Sequence, residues 1–248
     1  STTKPCPTDN LYRIIGVFDD KVKLIKYDYA NSNLLGTDGD YRGSNTPDTD
    51  YYKGSLTAIN TYNWNFKAAN SPINTWSTSL LNKTNLNTNY LNNIGTTWSN
   101  LIEDATWKVS GNSTSSVTPS EMYTAEITNA TKTYGPSDGT SKIGLVYASD
   151  YGFAASPSAW TSTLYNYDGN DANGTSIKTI NWMYMGGEEW TISPDSSGNF
   201  VFYLYIGNAV DADYVGTGYG SRPVMYLKAS VLYAGGSGTK DSPITLVV

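Results

Sequence analysis

Phe200-Val-Phe-Tyr-Leu-Tyr-Ile206 is the stretch on which the reading of the fold turns. It is apolar throughout and rich in aromatic and β-branched residues, and Gly198 and Gly207 bound it, as expected of a strand. Side chains alternate across a strand. Phe200, Phe202, Leu204 and Ile206 are therefore expected on a core face. Val201, Tyr203 and Tyr205 are expected on the other face, against a neighbouring layer or solvent.

Working outward, Trp190–Ile192 reads as a strand stub before Pro194, and 207–220 as a Gly-Asp-Tyr loop. Val224–Leu227 and Ile244–Val248 read as strands that close the sheet. At the other end of the chain, LYRII at Leu11–Ile15 and KVKLIKY at Lys21–Tyr27 flank Asp19-Asp20, which reads as a hairpin turn. Val22 and Leu24 alternate with Lys21 and Lys23, predicting one buried and one wet face. Ile143–Tyr147 reads as a short buried strand.

Residues 76–92 read as helical on Trp76, Leu80, Leu81, Tyr90 and Leu91, although the asparagines among them are poor helix formers. Residues 97–107 read as the better helix. Trp98, Leu101, Ile102 and Ala105 fall at i, i+3, i+4 and i+7, and Gly111 follows as a stop. Residues 28–60, 110–140 and 154–180 are rich in turn residues and read as long loops, with a strand near Tyr51–Tyr52. The sum is an α+β fold: a twisted antiparallel sheet, two helices packed on it and long irregular loops. No low-complexity linker or repeat divides the chain, so residues 1–10 read as a tail and 11–248 as one domain. Loops this long in a compact domain are often functional.

Composition removes several chemistries. The 248 residues include no His and one Cys. A Ser-His-Asp or Cys-His catalytic unit and a His-ligated zinc are therefore impossible, as are an internal disulfide and a Cys-rich metal site. Net charge is −6 with 15% charged residues, the opposite of a nucleic-acid binder. No apolar run approaches the ~20 residues that span a bilayer. Low charge with abundant Asn, Thr, Ser, Gly and Tyr points to an extracellular surface, of a cell or a virion. The chain begins at Ser1, and a processed or trimmed product is expected. Cys6, between Pro5 and Pro7, reads as an exposed tail thiol, with a bond to another chain as the alternative. Asn82, Asn112, Asn129 and Asn173 fit the N-glycosylation pattern at the frequency chance gives in so Asn-rich a chain.

Blocks of the chain carry a resemblance. LYRIIGVFDDKVKLIK is followed by WSTSLLN, LIEDATW, KIGLVYASDYGFA, EWTISP and SRPVMYLKASVLYAGGSGTKDSPITL. In this order, and across nearly the whole chain, they resemble extracellular domains of gut Firmicutes surface and prepilin-like proteins. The resemblance implies a C-type-lectin-like, formylglycine-generating-enzyme-like fold. It transfers fold more securely than activity. The paired cysteines of the catalytic relatives are missing, because Cys6 stands alone and in the wrong region. The E-P-N or Q-P-D loop and the W-N-D strand of calcium-dependent sugar-binding lectins are missing as well. Ser1–Asn10 is not the long apolar helix that opens prepilin-type relatives, so such a helix is missing or removed.

Candidate chemistry is sparse. Asp211/Asp213 and Glu188-Glu189 are carboxylate pairs of the kind glycosidases use. Adjacent residues on a strand point to opposite faces, so Glu188 and Glu189 cannot share a substrate; Asp211 and Asp213 can if their segment is extended. Asp168-Gly-Asn170-Asp171-Ala-Asn173-Gly174 offers closely spaced oxygens but misses the EF-hand pattern. An Asx-rich turn accounts for it better than a structural calcium, and no other cofactor is implied.

Aromatics are the most telling feature, at 13% with 21 Tyr and 7 Trp. Trp76, Trp98, Trp107 and Trp190 read as core; Trp64, Trp160, Trp182 and Tyr184 sit in or beside loops. Tyr mixed with Asn, Ser, Gly and Asp is the composition of binding surfaces, since a phenol ring offers area at low entropy cost. The expected ligand face is Trp182, Tyr184, Tyr203, Tyr205, Asn208, Asp211, Asp213, Tyr214 and Tyr219, on an element that would also suit sequence diversification. This reading is a non-enzymatic adhesion domain for a host or bacterial surface protein or glycan. The alternative is a self-assembling subunit of a surface filament or phage particle, pairing LYRII and PITLVV by strand addition. A glycan hydrolase using Asp211/Asp213 is the third.

Overall fold

The computed structural model describes residues 11–37, 60–65, 74–128, 138–239 and 241–247. The tail, Cys6, the Tyr51–Tyr52 strand and Asn129 lie outside them. The strands among the described residues are β1 (Tyr12–Phe18), β2 (Lys21–Lys26), β3 (Tyr62–Asn63), β4 (Ala105–Trp107), β5 (Gly139–Ser141), β6 (Ile143–Gly144) and β7 (Glu189–Pro194). They continue with β8 (Phe200–Leu204), β9 (Val210–Tyr214), β10 (Gly218–Tyr219), β11 (Val224–Tyr226), β12 (Leu232–Gly235) and β13 (Thr245–Val247). With helices between them the fold is α+β, but its strands form several small antiparallel sheets rather than one.

The expected hairpin is present. Asp19 and Asp20 both take left-handed backbone angles, φ 48° and 61°, the geometry whose twist suits a two-residue β-turn. The sheet order is β1-β2-β11-β6, so a strand near residue 225 lies between the hairpin and residue 143. The wet face expected for Lys21 and Lys23 is corrected at Lys23. That side chain is buried, paired with Asp150, and its ammonium lies 4.7 Å from the Tyr147 ring centroid and 5.4 Å from that of Phe18. A distant carboxylate and a ring of aromatics make a buried lysine tolerable, which local alternation cannot foresee.

The helix expected over 76–92 is present in two pieces, Trp76–Thr78 and Leu81–Tyr90, the second π-wound and running into Leu91–Asn93. Its asparagines do a different job from helix building. Asn87 donates to the carbonyl of Ile143 and accepts from its N–H, which gives the edge strand β6 a side-chain partner where no strand follows. Asn85 and Asn89 both donate to the Leu35 carbonyl.

The helix expected over 97–107 is corrected. Only Thr96–Ser99 is helical; Ile102 then bridges to Leu227, the Glu103 N–H donates to the Tyr226 carbonyl, and β4 follows, paired with β5. The periodicity was real, but backbone partners more than 120 residues away win. Trp98 consequently faces out. Gly111 stops nothing: it lies so close to the Pro194 backbone that a Cβ would stand 1.7 Å from its carbonyl oxygen. The loop expected over 110–140 contains a helix, Pro119–Tyr123, extended by a π-turn Thr124–Thr128. Thr118 and Glu121 form a reciprocal capping box with Pro119 at the first helical position.

β8 is buried on both faces from Val201 to Leu204, and it is Phe200, expected in the core, that is exposed. The segment 207–220 is not a loop alone: β9 and β10 lie in it, and β7-β8-β9 form an antiparallel meander. The C-terminal strand does not close the main sheet. Among the described residues β12 and β13 pair only with each other, with Leu232, Tyr233 and Val247 exposed. The main buried cluster otherwise draws on residues from Ile25 to Met225, including Trp64, Trp76, Trp107 and Trp190.

Arg222, just before β11, joins the hairpin sheet to the meander. Its Nε donates to Glu189 Oε2 at 2.8 Å and its Nη2 to the Met183 carbonyl at 2.9 Å, with both partners of the ion pair buried. Removing one partner of a buried pair leaves the other charge without compensation. In urea denaturation, Arg222→Met is expected to lose about 3–5 kcal/mol, and the double variant with Glu189→Leu to recover most of it. Equal losses in single and double variants would contradict this.

Candidate binding surface

The segment expected to form the ligand face is built around a run of rings. Trp190 on β7 is buried, its indole N–H donating to the Tyr62 carbonyl at 2.7 Å. Its ring lies 4.7 Å from that of Tyr219, and Tyr219 stacks on Tyr203 at 4.3 Å and 11°. Tyr203 meets Tyr205 edge to face at 6.4 Å. The run thus leads from the core to the surface, and Tyr205, 42% exposed, is its outer member. Pairing explains the order: Trp190 lies opposite Tyr203 on the β7–β8 ladder, and Tyr219 on β10 lies opposite Tyr62 on β3. Offset and edge-to-face pairs of this kind contribute about 0.5–1.5 kcal/mol each beyond area burial.

Carboxylates flank the rings. β9 places Asp211 opposite Tyr203 and Asp213 opposite Val201, so both acids lie on the Tyr203 side of the ribbon, as an extended segment requires. Tyr219 donates its hydroxyl to Asp213 Oδ2 at 2.7 Å. Burial pushes the Tyr203 phenol up to about 12. It raises that of Tyr219 further, with the hydrogen bond to Asp213 adding to the effect. Both phenols therefore stay protonated at any physiological pH.

Several expected face residues have other positions. Asn208 is wholly buried and left-handed, φ 91°; its amide donates to the Tyr167 carbonyl and its Oδ1 accepts from the Tyr151 hydroxyl. It anchors the 205–209 turn from below. Tyr184 is also buried, and its hydroxyl donates to the Ile206 carbonyl at 2.7 Å under the Lys178 ammonium. Tyr203 and Tyr219 are largely covered by each other and by Trp190. Tyr214 is on the reverse side, opposite Phe200, where the two rings meet edge to face at 6.3 Å. Trp182 belongs to a different neighbourhood: its carbonyl accepts from Arg13 Nη1, and the guanidinium lies 5.8 Å from its ring. The surface that remains is Tyr205 and Asp211, with half-buried Asp213 between the rings and solvent.

Asp213 accepts from the Tyr214 N–H on Oδ1 as well as from Tyr219, and Asp211 Oδ1 accepts from the Ala212 N–H. Glu189 is buried on Arg222 while Glu188 stays half-buried, in keeping with opposite faces. The Asp168–Gly174 segment folds as an Asx turn: Asp171 Oδ1 accepts from the N–H groups of Asn173 and Thr175, and Gly174 takes φ 78°. Among the described residues no three acidic or thiol side chains converge on one point.

The sequence reading missed one polar cluster. Glu126, on the π-turn after the capping box, is fully buried; its two carboxylate oxygens accept from the hydroxyls of Ser149 and Ser193. Burial pushes it up to about 7 against those hydrogen bonds, with nearby Asp150 adding to the rise. It ties the Pro119–Thr128 helix to Ala148–Phe153 and to β7. Thr118-Pro-Ser-Glu121 was the available signal for that helix. Comparison of the chain with protein-family models, with curated proteins and with solved structures gives no match.

Because the folded state holds the Glu126 proton more tightly than the unfolded chain, its contribution is complete below about pH 4.5 and is lost as pH rises through 7. Urea midpoints of wild type and Glu126→Gln, measured from pH 7 to 4.5, should therefore shift in favour of the wild type as pH falls. A pH-independent difference would refute the assignment.

Proposed function

We propose that this chain is a non-enzymatic adhesion domain of C-type-lectin-like architecture, displayed on a cell or virion surface. The fold reading is supported by the order of the blocks that resemble extracellular surface-protein domains. It is also supported by a sheet in which the N-terminal hairpin lies beside a strand from near the C-terminus. Among the described residues no helix is long and apolar enough to cross a membrane.

The observation that carries the binding reading is the ring run ending at Tyr205, with Asp211 on β9 opposite Tyr203, the next ring inward. Rings stacked back to a buried tryptophan lose little freedom when a partner docks on the outermost one, so contact area is gained at low entropy cost. A phenol ring with neighbouring carboxylates suits a surface protein presenting apolar and cationic groups, or the hydroxyl-bearing faces of a glycan. In this reading the domain acts by holding its partner.

The exposed strand edges favour the second reading, a self-assembling subunit. Among the described residues β1 is an edge strand with Ile14, Val17 and Phe18 exposed, and the β12–β13 hairpin is exposed on Leu232, Tyr233 and Val247. Unpaired edges of this kind accept strands from other chains. Cys6 would then be a crosslink.

Binding to glycan arrays and to intact cells, measured for wild type, Tyr205→Ala and Asp211→Ala, tests the first reading. Each variant is expected to lose about tenfold or more in affinity at unchanged melting temperature. Unchanged binding in the double variant overturns it. Light scattering and negative-stain imaging that show fibres, lost in Val17→Lys, would replace it with the second.

A further inference from the structure

Away from the ring run, a cleft of about 220 Å³ opens where the start of β1, the Ser32–Leu35 turn and the Leu91–Ser99 segment meet. Leu34, Ile94 and Trp98 are the apolar residues of its lining; Asn31, Asn33, Asn93 and Tyr12 are the polar ones. The Trp98 indole is 46% exposed. Its position is fixed by Gly95, whose φ of 82° turns the chain from one helical segment into the next.

The walls are preorganised. Asn93 donates to the Leu34 carbonyl at 3.0 Å, joining two sides of the cleft. The Tyr12 and Tyr90 hydroxyls share a hydrogen bond at 2.6 Å. The Asn31 backbone carbonyl accepts from the Leu34 and Leu35 N–H groups, yet its side-chain Oδ1 is buried and accepts nothing.

We propose that this cleft binds one neutral pyranose unit of a glycan. An indole face offers a flat apolar surface to the C–H side of a sugar ring. Each asparagine amide both donates and accepts, which suits a neighbouring pair of hydroxyls. Among the described residues no Lys, Arg, Asp or Glu lines the cleft, which favours a neutral ligand over a phosphate, a carboxylate or an amine. The volume falls below the range of about 300–1,000 Å³ that holds drug-sized ligands, which limits the occupant to a single ring. Trp98 is the stacking platform, and the asparagines of the lining are the polar partners of the sugar hydroxyls. The site shares no residue with the Tyr205–Asp211 surface, so it stands or falls separately from the function proposed for that surface.

Saturation-transfer NMR on the full chain, with the methyl glycosides of glucose, galactose, mannose and N-acetylglucosamine as probes, tests the assignment. At least one is expected to bind with a dissociation constant of about 1 mM, within the range of weak single-ring contacts. Trp98→Ala should weaken it by about tenfold or more and Trp98→Phe by less, with near-UV circular dichroism confirming that both variants fold. Asn33→Ala should weaken it as well, while Tyr205→Ala should leave it unchanged. The proposal is overturned if none of the four binds, if binding survives Trp98→Ala, or if glucuronic acid binds as tightly as methyl glucoside.

Discussion

The Arg222–Glu189 ion pair is the constraint on which the arrangement of the molecule depends. One partner stands at the start of the β7–β8–β9 meander and the other just ahead of β11 in the hairpin sheet. A guanidinium cannot discharge itself by losing a proton, so once buried it demands its carboxylate in one place. Its remaining reach, to the Met183 carbonyl, holds the segment leading into β7. The Glu188–Gly220 backbone contacts and the Trp190–Tyr219 ring contact are immediate neighbours of that pair in sequence. The ring run that ends at Tyr205 is thus set by a polar joint in the interior.

The same device recurs. Lys23 is buried against Asp150 within aromatic rings, and Glu126 is buried between two serine hydroxyls. Both lie where the N-terminal hairpin, the Ala148–Phe153 helix and β7 approach one another. A chain with short strands and few long helices gains little specificity from regular ladders. Buried polar groups with single compatible partners are one way to select an arrangement, at a cost in desolvation. Asparagine does related work in the Leu81–Tyr90 helix, where side-chain amides occupy backbone groups of Leu35 and Ile143.

What the sequence made legible was local. The Asp19-Asp20 hairpin, the helical region expected over 76–92, the first two residues of the strand expected over Ile143–Tyr147, β7 and β8 all carry their signal within ten or so residues. The capping box at Thr118 and Glu121 was equally local, and reading Pro119–Thr128 as loop overlooked it. Other features could not be read locally. Ile102 becomes a bridge residue because Leu227 lies beside it, and that turns an apparent helix into a strand with Trp98 outside. Lys23 is buried because of Asp150. At the candidate surface, alternation placed Tyr203 and Tyr205 on one side of β8, but only Trp190 and Tyr219 decide that the first is covered and the second open. Asn208 had the composition of a contact residue, and its left-handed backbone and two buried partners make it an anchor instead.

The central physical claim is that residues 189–222 form a rigid platform, held from inside, on which exposed groups are presented without prior ordering. Hydrogen–deuterium exchange followed by mass spectrometry tests this directly. Amides of β7, β8 and β9 and of the 205–209 turn should exchange only with global unfolding, and Arg222→Met should accelerate them together. Rapid exchange of the 205–209 turn and β9 in the wild type, independent of global stability, would contradict the account.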